Sequence, residues 1–311
     1  MSSVVTGEQQ TAVRAAPALF QWTVFPAVMG GACLLAWWQM QQGAAPAEAI
    51  LGPQLLGIVV VALLERVYPY HHSWLHSHAD IRVDAAHTFT IGTASALVNP
   101  LVVTAGVAIA AQLSAAFGAG LWPAAWPLLL QVVLALVIGE LPGYWVHRWS
   151  HYWDGLWRFH SIHHSAPRLY WLNAGRFHLV DLMLTNVPTY LLLALLGCSG
   201  EVLAYFGLIT VVHGIFQHAN LQLRLGPLNW FFSMAELHRW HHSRTVKEAN
   251  TNFGQTVIVW DWLFGTRFLP ADREPPRDIG IADMPAFPMG WLAQVAAPFR
   301  WRRVQSESRA P

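Results

Sequence analysis

Sixteen of the 311 residues are histidine, and their spacing carries more meaning than their number. His147 and His151 stand four apart at the end of an apolar run, so on a helix both imidazoles leave the same face and can share a metal ion. His160, His163 and His164 stand at i, i+3 and i+4, and His238, His241 and His242 repeat that pattern further along. At this histidine frequency such a three-residue pattern arises by chance roughly four times in a hundred sequences, so two copies plus the pair are a signal. Eight clustered imidazoles exceed the needs of one ion, because a structural zinc takes only four ligands. Imidazole suits zinc, iron, copper or nickel. An all-imidazole site beside an apolar compartment fits redox chemistry on a hydrocarbon better than hydrolysis, which favours two ions and, among these metals, iron.

Imidazole ligands need an acceptor for their second ring N–H. Glu140, two helical turns before His147, and Asp181, three residues after His178, are candidate carboxylates at or near membrane depth, where an unpaired charge is expensive. Asn220 and Asn252 could serve similarly. The scattered His71, His72, His76, His78 and His87 read instead as amphipathic residues at a membrane surface.

The elements that must position these residues are legible in the hydropathy. Hydrophobic residues make up 54% of the chain and charged ones 11%, with a positive mean hydropathy. Apolar stretches suited to crossing a bilayer lie near 18–40, 50–68, 86–112 and 126–147, with a more polar pair near 180–198 and 202–221. A large soluble helical core is the competing reading, but runs such as Leu55 to Leu64 and Leu128 to Ile138 offer no face to water. The expectation is an all-α integral membrane protein, a bundle of four to six transmembrane helices with a cytoplasmic-side helical cap carrying the histidines. Every Arg and the single Lys fall in the N-terminal tail, in 66–82, in 148–176, or from Arg224 onward, which places both termini and the ends bearing His147 and His218 in the cytoplasm. Ala47-Glu48-Ala49 resembles a signal cleavage site, but the preceding run is long and its flank is not basic. Cys33 and Cys198 are too few for a disulfide framework or a cysteine-based metal site. One domain over 18–268 is expected, between a cytoplasmic tail at 1–17 and another at 269–311. In the latter, Trp291 to Trp301 with Arg300, Arg302 and Arg303 reads either as a helix lying on the membrane or as a disordered basic tail.

Between about residues 62 and 268 the chain resembles the fatty acid hydroxylase and sterol desaturase superfamily of membrane di-iron enzymes. The likeness rests on Glu65-Arg66 with Pro69, and on Tyr144-Trp145-Val146-His147-Arg148-Trp149-Ser150-His151 as an HxxxH box. His160-Ser161-Ile162-His163-His164 and His238-Arg239-Trp240-His241-His242 are similar to the two HxxHH boxes. Arg176-Phe177-His178, Gln217-His218-Ala219-Asn220, Asn250, Asn252-Phe253-Gly254 and Trp260 to Thr266 complete it. The resemblance implies His147, His151, His160, His163, His164, His238, His241 and His242 as iron ligands and His218 as a ninth. Some members place another ligand four residues before the position of His218, where this chain has Gly214. His213 lies five before, about 140° away on an ideal helix, and joins the site only if a π-bulge distorts it. His178, followed by Leu179 where many members carry Pro, is implied as a ligand or the neighbour of one, with Glu140, Asp181 and Asn220 as further supporting groups.

The implied activity is hydroxylation or desaturation, with dioxygen as co-substrate, of a C–H bond in a lipid such as a sterol, fatty acyl chain, ornithine lipid or carotenoid. Ether-lipid cleavage and carotenoid ring hydroxylation are known from relatives with similar boxes. The chain has no Rossmann fingerprint and no cysteine cluster, so electrons are expected from a separate cytochrome b5-, ferredoxin- or flavoprotein-type donor docking on the Arg-rich face. No nucleic-acid partner is expected. Seventeen Arg against one Lys, with abundant Ala, suggest a bacterial source and its cytoplasmic membrane. A metal transporter or sensor is the alternative of another class; it requires ionisable residues through the midplane of several helices, whereas these histidines gather at one end.

Overall fold

The computed structural model describes residues 14–117 and 120–309; the expected N-terminal tail lies outside them up to residue 13. Thirteen α-helices are described: α1 (Ala18–Gln41), α2 (Pro46–Ala49), α3 (Leu51–Val67), α4 (Ile81–Phe117), α5 (Leu128–Tyr152), α6 (Asp154–His164), α7 (Leu179–Leu196), α8 (Gly200–His218), α9 (Ala235–His241), α10 (Val246–Ala249), α11 (Val259–Leu263), α12 (Trp291–Ala296) and α13 (Trp301–Ser308). Only two isolated β-bridges, Phe232 with Val257 and Ser243 with Ile279, interrupt this pattern among the described residues.

Six segments are long and apolar enough to span a bilayer: α1, α2 with α3, α4, α5, α7 and α8. Their outward faces carry exposed Leu34, Leu55, Leu63, Phe89, Leu97, Leu101 and Leu129, an apolar exterior that only lipid solvates well. Their inward faces meet in a core built from α1, α3, α5 and α8, including Phe25, Val61, Leu136, Leu208 and Phe216. α4 starts earlier than the hydropathy predicts, because its first turns hide their polar groups inside the protein. Asp84 is fully buried against Arg176, 2.5 Å away, and accepts from the Tyr170 hydroxyl at 2.7 Å.

The polar cap is welded to the spans by buried charge. Arg168 grips Asp80 through two hydrogen bonds of 2.6 and 3.0 Å, a forked geometry that satisfies both ions out of water. Glu65, at the end of α3, accepts from the backbone N–H groups of Trp171 and Asn220, each at 2.8 Å. Asn220 in turn clasps His71, accepting from its N–H at 2.8 Å and donating to its carbonyl at 3.0 Å. The single turn Trp171–Gly175 is thereby pressed against α4. A Cβ on Gly175 would lie 3.0 Å from the Thr88 backbone and 2.8 Å from its Cβ, so a side chain there must push two elements apart. Gly175→Ala is expected to lower stability by about 1–3 kcal/mol, the usual cost of overpacking, seen as a lower melting temperature in detergent.

The segment after residue 268 is part of the same folded body rather than a free tail. Ile281, Met284, Phe287, Ala297 and Trp301 pack on Ile162 of α6, and the Trp301 indole N–H donates to Asp154 at 2.7 Å. The aromatic patch is helical, leaving Leu292 and Phe299 exposed. Sequence hydropathy undervalues this stretch because its apolar residues are spread among prolines and charges.

Candidate metal centre

α5 continues past its membrane-spanning portion for one more polar turn, which brings His147 and His151 to the level of the cap. α6 follows with only Trp153 between them, so it folds back and presents His160, His163 and His164 to the same space. α8 ends at His218, and α9 crosses beside it with His238 and His241, His242 being its C-terminal cap residue.

These nine rings form two groups: His147, His151, His160, His164 and His241 in one, and His163, His218, His238 and His242 in the other, the ligand atoms of each within 4.8 Å of one another. Each triple-histidine helix is divided between the groups. His160 and His164 turn one way and His163 the other; His238 and His242 share a group while His241 joins α5 and α6. All are buried except His151, which is half-buried.

The hydrogen bonds decide which ring nitrogen carries the proton. His147 Nδ1 lies 2.6 Å from the carbonyl of Phe253, and His241 Nδ1 2.8 Å from that of Thr251. A carbonyl only accepts, so both rings are protonated at Nδ1 and present a lone pair at Nε2. Yet His147 Nε2 and His241 Nε2 stand 2.9 Å apart, and His164 Nε2 lies 3.1 Å from His241 Nε2. In the other group His242 Nε2 stands 3.2 Å from His163 Nε2 and 3.0 Å from His238 Nε2, which is 2.9 Å from His218 Nε2. His163 Nδ1 is committed to the Arg176 carbonyl at 3.3 Å. Burial holds His163, His164, His238, His241 and His242 well below the usual imidazole range, so these rings are neutral. Neutral lone pairs crowded at this distance repel unless a cation sits among them. The Nε2 atoms of His151 and His160 are likewise buried without a partner. The donor set therefore fits two metal ions, one per group.

A short loop braces the five-histidine group. Between Asn250 and Gly254 the chain supplies acceptors to three of its rings: the Asn250 side chain to His151 at 3.1 Å, the Thr251 carbonyl to His241 and the Phe253 carbonyl to His147. The loop is itself anchored. Asp261 accepts from the N–H of Phe253 at 2.7 Å and of Gly254 at 2.6 Å. Asn252, in the left-handed region at φ 55°, donates to the carbonyls of Leu237 and Phe268. A separate segment serves the other group: Asn173 accepts from His218 Nδ1 at 3.0 Å and the Arg176 carbonyl from His163.

The supporting residues expected from the sequence divide. Asp181 accepts from His160 Nδ1 at 2.8 Å, as expected. Glu140 touches no imidazole; two turns below His147 it sits level with the next loop and accepts from the N–H groups of Thr256 and Val257 at 2.9–3.0 Å. Asn220 is the clasp of His71, and Asn252 holds the loop rather than a ring. His178 lies outside both groups: it caps α7, accepting from the Val180 N–H at 3.0 Å, and its other nitrogen meets the Val295 carbonyl at 3.3 Å. His213 also lies outside both groups. α8 is undistorted there, so the five-residue spacing turns its ring away, between Phe25 and Phe232. His87, expected at a membrane surface, is buried, its ring nitrogens meeting the Phe177 carbonyl and the Gln294 side chain. Asn173 escaped the sequence reading, and Asp261 entered it only within the Trp260 to Thr266 stretch, with no role assigned, since nothing in their spacing marks them as supports.

Comparison with known proteins bears on the family. The sequence model of the fatty acid hydroxylase family matches residues 132–266. The ornithine lipid hydroxylase OlsE of Rhizobium tropici is 39% identical over 248 residues, 78% of this chain and 73% of that protein. An alkylglycerol monooxygenase of Xenopus tropicalis is 42% identical over 53 residues, 17% of this chain and 12% of its own. The very-long-chain aldehyde decarbonylase GL1-8 of Oryza sativa subsp. indica is 28% identical over 109 residues, 34% of this chain and 40% of its own. No solved structure matches the chain.

Proposed function

Because this chain belongs to the fatty acid hydroxylase and sterol desaturase superfamily, we propose that it hydroxylates a C–H bond of a polar membrane lipid at a di-iron centre built from its nine clustered histidines. It is an oxidoreductase, a lipid-modifying oxygenase acting in a membrane. The observation that carries the finer reading is the convergence of two sets of Nε2 lone pairs at one end of an apolar bundle. Two iron ions held there supply the dioxygen chemistry that an unactivated C–H bond demands. The chain's own part is to fix six of the nine imidazoles in one tautomer and hold those rings in place through carbonyl, amide and carboxylate acceptors.

An ornithine lipid hydroxylase that aligns over 78% of this chain supports a polar membrane lipid as the substrate class. A lipid with an amino-acid head group and acyl chains places its polar end at the cap and its hydrocarbon beside the centre. The cationic segments all sit at the histidine end of the spans, which supports a cytoplasmic-facing centre in a bacterial cytoplasmic membrane. Electrons come from a separate cytochrome b5-, ferredoxin- or flavoprotein-type donor.

Cells producing the wild-type chain and the His163→Ala chain, compared by lipid mass spectrometry, test the proposal. Wild type is expected to add one oxygen to a polar lipid class and His163→Ala to leave that class unmodified. A loss of two hydrogens instead makes the reaction a desaturation. Lipids identical in both cultures overturn the catalytic reading.

A further inference from the structure

The two histidine groups are not built alike. In the five-histidine group, four rings have their Nδ1 held: His147, His151 and His241 by the loop from Asn250 to Gly254, and His160 by Asp181. In the four-histidine group only His163 and His218 are held, while the Nδ1 atoms of His238 and His242 are buried without any partner. The acceptors differ in charge as well. His218 and His163 lean on a neutral amide and a neutral carbonyl, whereas His160 leans on a carboxylate. Asp181 and His160 are only 4% and 3% exposed. Arg176, whose carbonyl serves His163, is already matched by Asp84 through its guanidinium.

From this we propose that the centre is unequal by construction: the five-histidine group is the high-affinity site, filled first and emptied last, and Asp181 is the positioning residue that makes it so. A buried carboxylate on the far nitrogen of a ligand strengthens that ligand as a donor, fixes its orientation and offers negative charge to balance the cation beyond the ring. Loss of such a partner lowers metal affinity by about 10–100-fold. Among the described residues Asp181 has no Lys or Arg partner; its side-chain contact is this imidazole. The four-histidine group, with two unbraced rings and no charge behind any of them, is the looser and more exchangeable site. This inference rests on the di-metal reading given above.

The experiment is anaerobic loading of the purified full chain with ferrous iron, followed by equilibration against graded chelator and measurement of iron per chain. Wild type is expected to release iron in two separated steps. Asp181→Asn preserves the size and one acceptor oxygen but removes the charge, and is expected to weaken the tighter step about 10–100-fold while leaving the weaker step in place. Asn173→Ala, which strips the neutral acceptor from His218, is expected to move the weaker step alone. Far-ultraviolet circular dichroism separates these effects from unfolding, and if Asp181→Asn does not fold, Asn173→Ala decides the matter by which step it moves. A single release step in wild type, an unchanged tight step in folded Asp181→Asn, or a shift of the tight step by Asn173→Ala overturns the inference while leaving the centre intact. A wild-type chain that binds no iron overturns the di-metal reading with it.

Discussion

A chain with His241 replaced by alanine is expected to lose lipid oxygenation by at least about a thousandfold, equivalent to about 4 kcal/mol of barrier. The reason lies in the position of its Nε2 atom, 2.9 Å from that of His147 and 3.1 Å from that of His164, which makes it the donor shared between α5 and α6. No neighbouring side chain can replace it, because the facing rings of His147 and His164 already belong to the same donor set. His213 offers the matched control. It is equally buried, at 0% exposure, and also a histidine at the end of the bundle, yet it lies against Phe25 and Phe232 rather than among the ligands. His213→Phe is expected to change turnover by less than about tenfold and to leave iron per chain unaltered. Product lipid and bound iron, measured on the same preparations, check both. Wild-type turnover in His241→Ala, or loss of iron in His213→Phe, contradicts the assignment.

The contrast between these two histidines shows where the sequence is informative. Helical periodicity places residues four apart on one face, so the pairing of His147 with His151, or of His160 with His164, is a local property that survives any tertiary context. The six spans were legible for a similar reason, since the bilayer demands a length and composition that few other environments select. Which rings share an ion is a different kind of fact. His163 parts company with its two neighbours on α6 because α8 and α9 approach from that side, and nothing within eleven residues of helix encodes that approach. Glu140 misleads for the same reason: a carboxylate on the correct face of the correct helix found backbone N–H groups before it found an imidazole. The polar start of α4 and the folded C-terminal segment were underrated because hydropathy scores residues one at a time. Ion pairs such as Arg176 with Asp84 hide charge from lipid and water together.

The consequence of this division is that the residues hardest to read, those that position the ligands, are the ones whose loss should be felt at several ligands at once. Asp261 is the clearest case. Its carboxylate receives the N–H groups of Phe253 and Gly254 and the Thr266 hydroxyl at 2.6–2.7 Å, the carboxylate and both amide residues being buried and Thr266 half-buried. Asp261→Ala strands two buried N–H groups, each costing about 1–3 kcal/mol, so a loss of about 2–6 kcal/mol in stability is expected. Gly254 has no room to compensate, since even a Cβ at that position would collide with the Val257 carbonyl. As the loop relaxes, the Phe253 carbonyl leaves His147, and the acceptors of His241 and His151 on either side of it shift too. A substitution outside the ligand set should therefore empty the five-histidine group. Asp261→Asn keeps one acceptor oxygen and should retain part of both stability and iron. Melting temperature and iron per chain, recorded for both variants, separate this coupling from simple destabilisation. If Asp261→Ala melts early but binds iron like wild type below its transition, the loop is a structural tie and the imidazoles hold their places without it.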